Sequence, residues 1–240
     1  MTEAGEGALR SPRSGLRSRL LPGLTVLVAF GLLALGIWQI ERRVGKLELI
    51  RQIDARVGAP AVDAPPPSAW PAISASSDAY RHVRASGEWL RDSDTRVQAV
   101  TALGAGSWLL TPLRTEAGFI VLVNRGFVAA DNKTAMPVLP PRGEVTGLLR
   151  VSEPKGGFLR SNDPAADRWF SRDVAAIARA RGLGDVAPYF IDAAADPGQP
   201  VPAGGLTVIN LPNNHLVYAL TWFVLAAMAG YFAIRLWRRD

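Results

Sequence analysis

The sequence predicts an integral membrane protein in which two transmembrane α-helices flank an external, β-rich α+β domain. Three observations carry this. Leu20 to Ile40 is a run of 21 residues without a charge, and Leu216 to Ile234 is one of 19; at ~1.5 Å per residue each spans about the 30 Å hydrocarbon layer of a bilayer. The 175 residues from Glu41 to His215 are enough for one domain with a real core and too few for two comfortable ones. Within that middle, short runs of Val, Leu and aromatic residues alternate with Gly- and Pro-bearing turns, which is the pattern of sheet.

Composition narrows the function. With 48% hydrophobic and 20% charged residues, the chain is not disordered over most of its length. Its net charge of +6 divides into thirds: four Arg against two Glu in residues 1–19, 20 basic against 18 acidic residues in the middle, and Arg235, Arg238 and Arg239 against Asp240. A nucleic-acid binder concentrates its basic excess on the folded domain, so nucleic acid is excluded as a partner. The chain has no cysteine, which rules out disulfides, thiolate metal sites and thiol redox chemistry. His82 and His215 are the two histidines, too few for a multi-histidine metal cage.

Taken in order, residues 1–19 form a basic tail and residues 20–40 the first transmembrane helix. A cleavable signal core runs about 7 to 15 residues; this one continues to Trp38 and Gln39 before charge appears, and retention is expected. Val44, Leu47, Ile50, Ile53 and Val57 recur every three or four residues, extending the helix amphipathically over residues 41–57. Five prolines between Gly58 and Ala72 then predict an extended linker over residues 58–72. The external domain occupies residues 73–215. Strands are expected at His82–Leu90, Arg96–Ala102, Ser107–Arg114, Phe119–Val128, Gly143–Ser152, Asp167–Phe170 and Pro188–Asp192, with Thr115 to Gly118 turning a hairpin. Ser171 is the expected N-cap of a helix from Arg172 to Arg181. Asp196 to Gly205, with three Pro and three Gly, loops back to a second transmembrane helix over residues 216–234 and a basic tail over residues 235–240.

Basic residues flank the first span on both sides. The second has three arginines after it and no Lys or Arg between Gly182 and His215, so its C-terminal end is expected in the cytoplasm. Two crossings place the N-terminus there as well, and the domain on the opposite side.

No Walker loop, H-E-x-x-H or G-x-S-x-G element is present, so the sequence points away from an enzyme. His215 opens the second span, and Tyr218 and Trp222 follow at i+3 and i+7, on one helical face at the depth where a lipophilic ligand enters from the bilayer. Neutral imidazole is an axial ligand for haem iron; the alternative is an aromatic belt with a polar neighbour. Trp38 and Gln39 end the first span at the same interface, in position to face His215.

Three ordered islands carry a resemblance. These are Gly36-x-Trp38-Gln39-x-x-Arg42-x-x-x-Lys46 followed by Leu49-Ile50, then Val123-Asn124-Arg125-Gly126-Phe127, then Asn213-Asn214-His215-Leu216-x-Tyr218-Ala219-x-Thr221-Trp222-Phe223. Thr111-Pro112-Leu113, Asn162-x-Pro164 and Arg168-Trp169-Phe170 lie between them in the same order. The chain resembles the Surfeit locus protein (Shy-type) family from about Gly36 to Phe223. It departs at Gly45, where an aromatic residue often precedes the lysine, and at Phe127 and Ala129, where Trp and Pro are common.

The resemblance implies an assembly factor for haem–copper cytochrome c oxidase that binds haem a as cargo and assists its insertion. It implies the oxidase catalytic subunit as partner, with haem a synthase a further candidate and membrane lipid as the surroundings. Carried over by position, His215 becomes the ligand to the haem iron, with Trp38, Gln39, Arg42, Tyr218 and Trp222 around it. Arg125 has two readings: part of a β-bulge in which Gly126 supplies an unusual backbone angle, or a partner for a haem propionate. Two alternatives to haem binding are a scaffold that stabilises an oxidase intermediate without touching cofactor, and a membrane-tethered hydrolase, which no residue spacing supports. The short N-terminal tail with Glu3 and Glu6 favours a bacterial inner membrane, domain periplasmic, over a mitochondrial one.

Alkaline phosphatase fused near Ser68 should therefore be active, and the same reporter after Asp240 inactive; the opposite pattern would overturn the topology.

Overall fold

A computed structural model describes residues 14–157, 160–209 and 211–238. The chain divides into two compact units, a helical one (residues 1–51 and 210–240) and a sheet domain, Gln52–Ile209.

In the helical unit, helix α1 runs from Ser14 to Gly58 and helix α4 from His215 to Trp237. Both are long and apolar enough to cross a bilayer. Their outer faces carry exposed Leu24, Leu27, Phe30, Val217, Val224 and Phe232, side chains that a helix in water would turn inward. Of the basic tail expected over residues 1–19, residues 1–13 lie outside the described residues, and from Ser14 the chain is already helical. The amphipathic stretch belongs to the same helix, because no proline interrupts it and Gly45 alone costs only about 1 kcal/mol.

The sheet domain contains β1 (Val62–Asp63), β2 (His82–Trp89), β3 (Thr95–Thr101), β4 (Gly104–Thr115), β5 (Ile120–Ala129), β6 (Arg142–Val151) and β7 (Val186–Ala193), with the short helices α2 (Ala75–Asp78) and α3 (Val174–Ala180). Its ladders close on themselves. β2 pairs with β6, β6 with β7, β7 in parallel with β5, β5 with β4, and β4 returns to β2 through Gly87–Thr115, Glu88–Arg114 and Trp89–Leu113. Strand β3 pairs with the first half of β4 as a hairpin, and β1 lies parallel to β2 outside the ring.

Alternation sorts the side chains into two cores. All five ring strands contribute to the first: Val83, Trp89, Leu113, Val121, Val123, Val145, Leu149, Tyr189 and Ile191. The intervening positions Leu110, Leu122 and Phe190 face outward, where Val97, Trp169 and the α3 residues Val174 and Ile177 cover them. Strand β5 is consequently buried on both faces and reads as an almost unbroken apolar run.

Three expectations need correction. Residues 58–72 are not an extended linker: β1 pairs with β2, Ala64 is buried, and Pro67–Ala72 forms a 3-10 turn whose Trp70 packs edge-on to Phe119 at 5.7 Å. The Pro65 carbonyl accepts hydrogen bonds from Trp70 Nε1 and the buried Tyr189 hydroxyl. Prolines withdraw donors from the backbone, not acceptors, so a proline-rich segment still docks through its carbonyls. Residues 167–170 make isolated bridges, Asp163–Arg168 and Val97–Trp169, and no strand. Their contribution is instead Trp169, fully buried in the second core with Nε1 donating to Asp167. Helix α3 starts at Val174 with Asp173 as its N-cap, which accepts from Ala176 N–H at 3.0 Å. Ser171 is occupied elsewhere, accepting from Gly156 N–H and Asn162 Nδ2.

One carboxylate joins the strands at the end of the ring. Asp192, on β7 and 4% exposed, accepts from Asn124 Nδ2 (2.8 Å) and Arg172 (3.2 Å) on one oxygen, and from Arg150 (3.1 Å) and Thr207 (2.9 Å) on the other. Glu153 binds Arg172 through two bonds, at 2.6 and 3.0 Å, and so shares its charge. Removing the central anion leaves two largely buried guanidinium groups, Arg150 and Arg172, with the half-exposed Glu153 as their one shared carboxylate. Asp192→Ala should therefore destabilise the domain by about 3–5 kcal/mol, seen as a lowered denaturation midpoint in detergent, and Asp192→Asn should fall between it and wild type.

Candidate functional site

The ends of α1 and α4 meet in the helical unit. At 100° per residue, His215, Ala219 and Phe223 lie along one side of α4, and that side packs on α1: Ala219 is fully buried, and a Cβ built on Gly36 would lie 2.4 Å from the Phe223 ring. Only hydrogen fits between helix and ring at Gly36. The two backbones therefore come close enough for the next side chains along to meet. There His215 Nδ1 lies 2.7 Å from Gln39 Oε1. An amide oxygen can only accept, so Nδ1–H is the donor, and in the neutral ring Nε2 keeps its lone pair.

Gln39 is thus the one sequence-selected residue that the structure brings to His215. Trp38 is 49% exposed and Tyr218 55%, Arg42 is also exposed, and Trp222 is half-buried. None of the four makes a hydrogen bond to His215 among the described residues. Tyr218 and Trp222 lie on the flank of His215 away from Phe223, leaving the imidazole at the border between a packed face and an open aromatic one. Phe223 also borders a cavity of about 770 Å³ lined by residues of both helices, among them Leu33, Ala226, Ala233 and Trp237.

Asn213 was quoted from the sequence only as part of a motif. Its side-chain Oδ1 is buried and accepts no hydrogen bond among the described residues. No group of three or more His, Cys, Asp or Glu capable of holding a bare metal ion occurs among the described residues.

Arg125 lies in the sheet domain. Register passes from Leu109–Gly126 to Leu110–Asn124, so Arg125 is the extra residue of a β-bulge. Asn124 spans the bulge, its Oδ1 accepting from Gly126 N–H while its Nδ2 donates to Asp192. Gly126 has φ +138°, and a Cβ there would lie 2.4 Å from the Ala203 backbone. The Arg125 guanidinium is partly buried, and that burial lowers its pKa against the opposing pull of Asp94. Asp94 in turn is pushed up by burial while its carboxylate accepts from Thr111 at 2.6 Å.

A model of the SURF1 family matches residues 26–227, which takes in Gly36, Gln39, the bulge and His215 together. The chain belongs to the SURF1 family. It is 32% identical to Surfeit locus protein 1 of Homo sapiens over 230 residues, covering 87% of this chain and 73% of that one. The Gallus gallus protein is 31% identical over 274 residues, with coverage of 100% and 84%. A SURF1-like protein of Monosiga brevicollis is 32% identical, with coverage of 84% and 80%. The match starts six residues into the first apolar run and ends within the second, so both helices belong to the shared unit along with the sheet domain.

If Gln39 sets the tautomer, Gln39→Leu should move the His215 proton toward Nε2, the nitrogen that carries it in most free neutral imidazoles. Nitrogen-15 shifts of the imidazole in detergent micelles read this directly; an unchanged tautomer would remove Gln39 from the site.

Proposed function

We propose that this SURF1-family chain is an assembly factor for haem–copper cytochrome c oxidase, which holds haem a as cargo at His215 and gives it up to the catalytic subunit. The hydrogen bond from His215 to Gln39 supports this more than any other observation. A histidine that ligates metal usually donates its second N–H to a fixed acceptor, which orients the ring and raises its basicity. Here Gln39 is that acceptor, provided by the other helix, and Nε2 is the open position.

The haem brings its own iron and redox chemistry; the chain's part is to bind, orient and release. Neutral imidazole and amide form a site without charge, suited to the edge of a low-dielectric layer, where a carboxylate ligand would be costly to keep ionised. Exposed apolar surface on α1 and α4 supports placing both helices in a bilayer. The arginines after α4 support a cytoplasmic C-terminus, and with it a periplasmic sheet domain at a bacterial inner membrane. The oxidase catalytic subunit, with haem a synthase as a second candidate, is the partner this role requires. A scaffold without cofactor is the second reading, and the lack of a catalytic constellation suits it equally.

Comparing wild type, His215→Ala, Gln39→Leu and His82→Ala from one haem-a-producing strain separates the two. His215→Ala should lose most bound haem and change the visible spectrum. Gln39→Leu should weaken binding by about 10- to 100-fold. His82→Ala should leave both unchanged, because His82 opens β2 and contacts the Ala59 carbonyl. An unaltered haem ratio and spectrum in a well-accumulated His215→Ala protein would remove His215 as the ligand, and wild type that carries no haem would favour the scaffold.

A further inference from the structure

The tip of the β3–β4 hairpin carries large apolar side chains that nothing in the domain covers. Val100 is 84% exposed and Leu103 is 56% exposed. Val208, 79% exposed, lines the same cavity of about 270 Å³ as Val100. An isolated exposed valine needs no explanation, but three large apolar side chains gathered at one end of a domain do.

The cavity beside them is lined by three arginines and one aspartate. Arg96 and Gln98 share the outward face of β3 with Val100, and all three line that cavity with Arg160, Asp167 and Arg168. Arg168 is held by Asp163, and Asp167 by Arg181. Arg96 and Arg160 make no salt bridge among the described residues. The domain as a whole is nearly balanced, so this concentration is local. Apolar tips flanked by unpaired arginines suit a surface with an oily interior beneath anionic headgroups.

Chain length says where that surface lies. Ala203 pairs with Phe127 and Thr207 with Asp192, so the chain leaves the sheet domain beside the hairpin tip. Only six residues separate Val208 from His215, where α4 begins, a reach of at most about 25 Å. If α4 lies in a bilayer, as proposed above, the tip is tethered close to that bilayer.

We propose that the β3–β4 end of the sheet domain seats on the membrane surface, with Val100 and Leu103 entering the headgroup layer and Arg96 and Arg160 facing anionic lipid. The inference rests on the reading of α1 and α4 as membrane helices.

The absence of cysteine makes single-site labelling clean. Leu103→Cys and Ala117→Cys, each carrying an environment-sensitive nitrobenzoxadiazole dye, would be placed in full-length protein in nanodiscs of phosphatidylcholine and phosphatidylglycerol. Ala117 sits in the exposed turn at the other end of β4, roughly 36 Å away along a 12-residue strand. Quenching by doxyl-labelled lipid should be several-fold stronger at 103 than at 117, quenching by iodide should be weaker, and Arg96→Glu with Arg160→Glu should reduce the difference. Equal quenching at both sites in protein that has entered nanodiscs overturns the docking alone. Protection of 103 from iodide without lipid quenching also overturns it, in favour of a protein contact. Failure of the chain to enter nanodiscs overturns the membrane reading beneath it.

Discussion

The sheet domain is organised around a carboxylate that cannot be left alone. Asp192 is buried at the end of β7, and its two oxygens take donors from β5, β6, the segment before α3 and the segment leading to α4. A buried anion is tolerable only when its lone pairs are filled and its charge opposed. Satisfying it fixes four pieces of chain that the hydrophobic cores alone hold less specifically. The Asn124 side chain illustrates this: the same amide that donates to Asp192 accepts from Gly126, so the bulge and the ion cluster hold each other in place.

At the helical site the constraint is steric rather than electrostatic. Gly36 lets the Phe223 ring lie against α1, and this close approach brings a glutamine and a histidine 176 residues apart to 2.7 Å. The site thus rests on a residue with no chemistry of its own. Small residues serve this purpose wherever two helices must approach closely.

Periodicity made much of this legible. The two apolar runs, the hairpin around Thr115–Gly118 and four further strands could be read from alternation and turn residues, because each is a local property of the chain. The meeting of Gln39 with His215 was foreseeable once the helices were taken as antiparallel with those residues at one interface. Residues 58–72 misled because proline density signals extended chain, whereas docking through the Pro65 carbonyl depends on Tyr189, far along the sequence. Asp192 gave one faint signal, a charge directly after the apolar run Tyr189-Phe190-Ile191. Its donors lie on other elements, and no local pattern announces them. Trp169 misled in the opposite way, since aromatic residues suggest a strand where the fold needs a plug.

Ring closure has a temporal consequence. β5 and β6 both present open ladders until β7 inserts between them, and β7 ends at Ala193 of a 240-residue chain. During synthesis, four-fifths of the polypeptide must emerge before either edge is capped. Until then the most apolar strand of the domain, β5, offers an unpaired backbone to any neighbouring chain. The nascent sheet domain is therefore most exposed to misassembly between the completion of β5 at Ala129 and that of β7 at Ala193, about a quarter of the chain's synthesis. Its barrel closes only about 20 residues before the second helix begins.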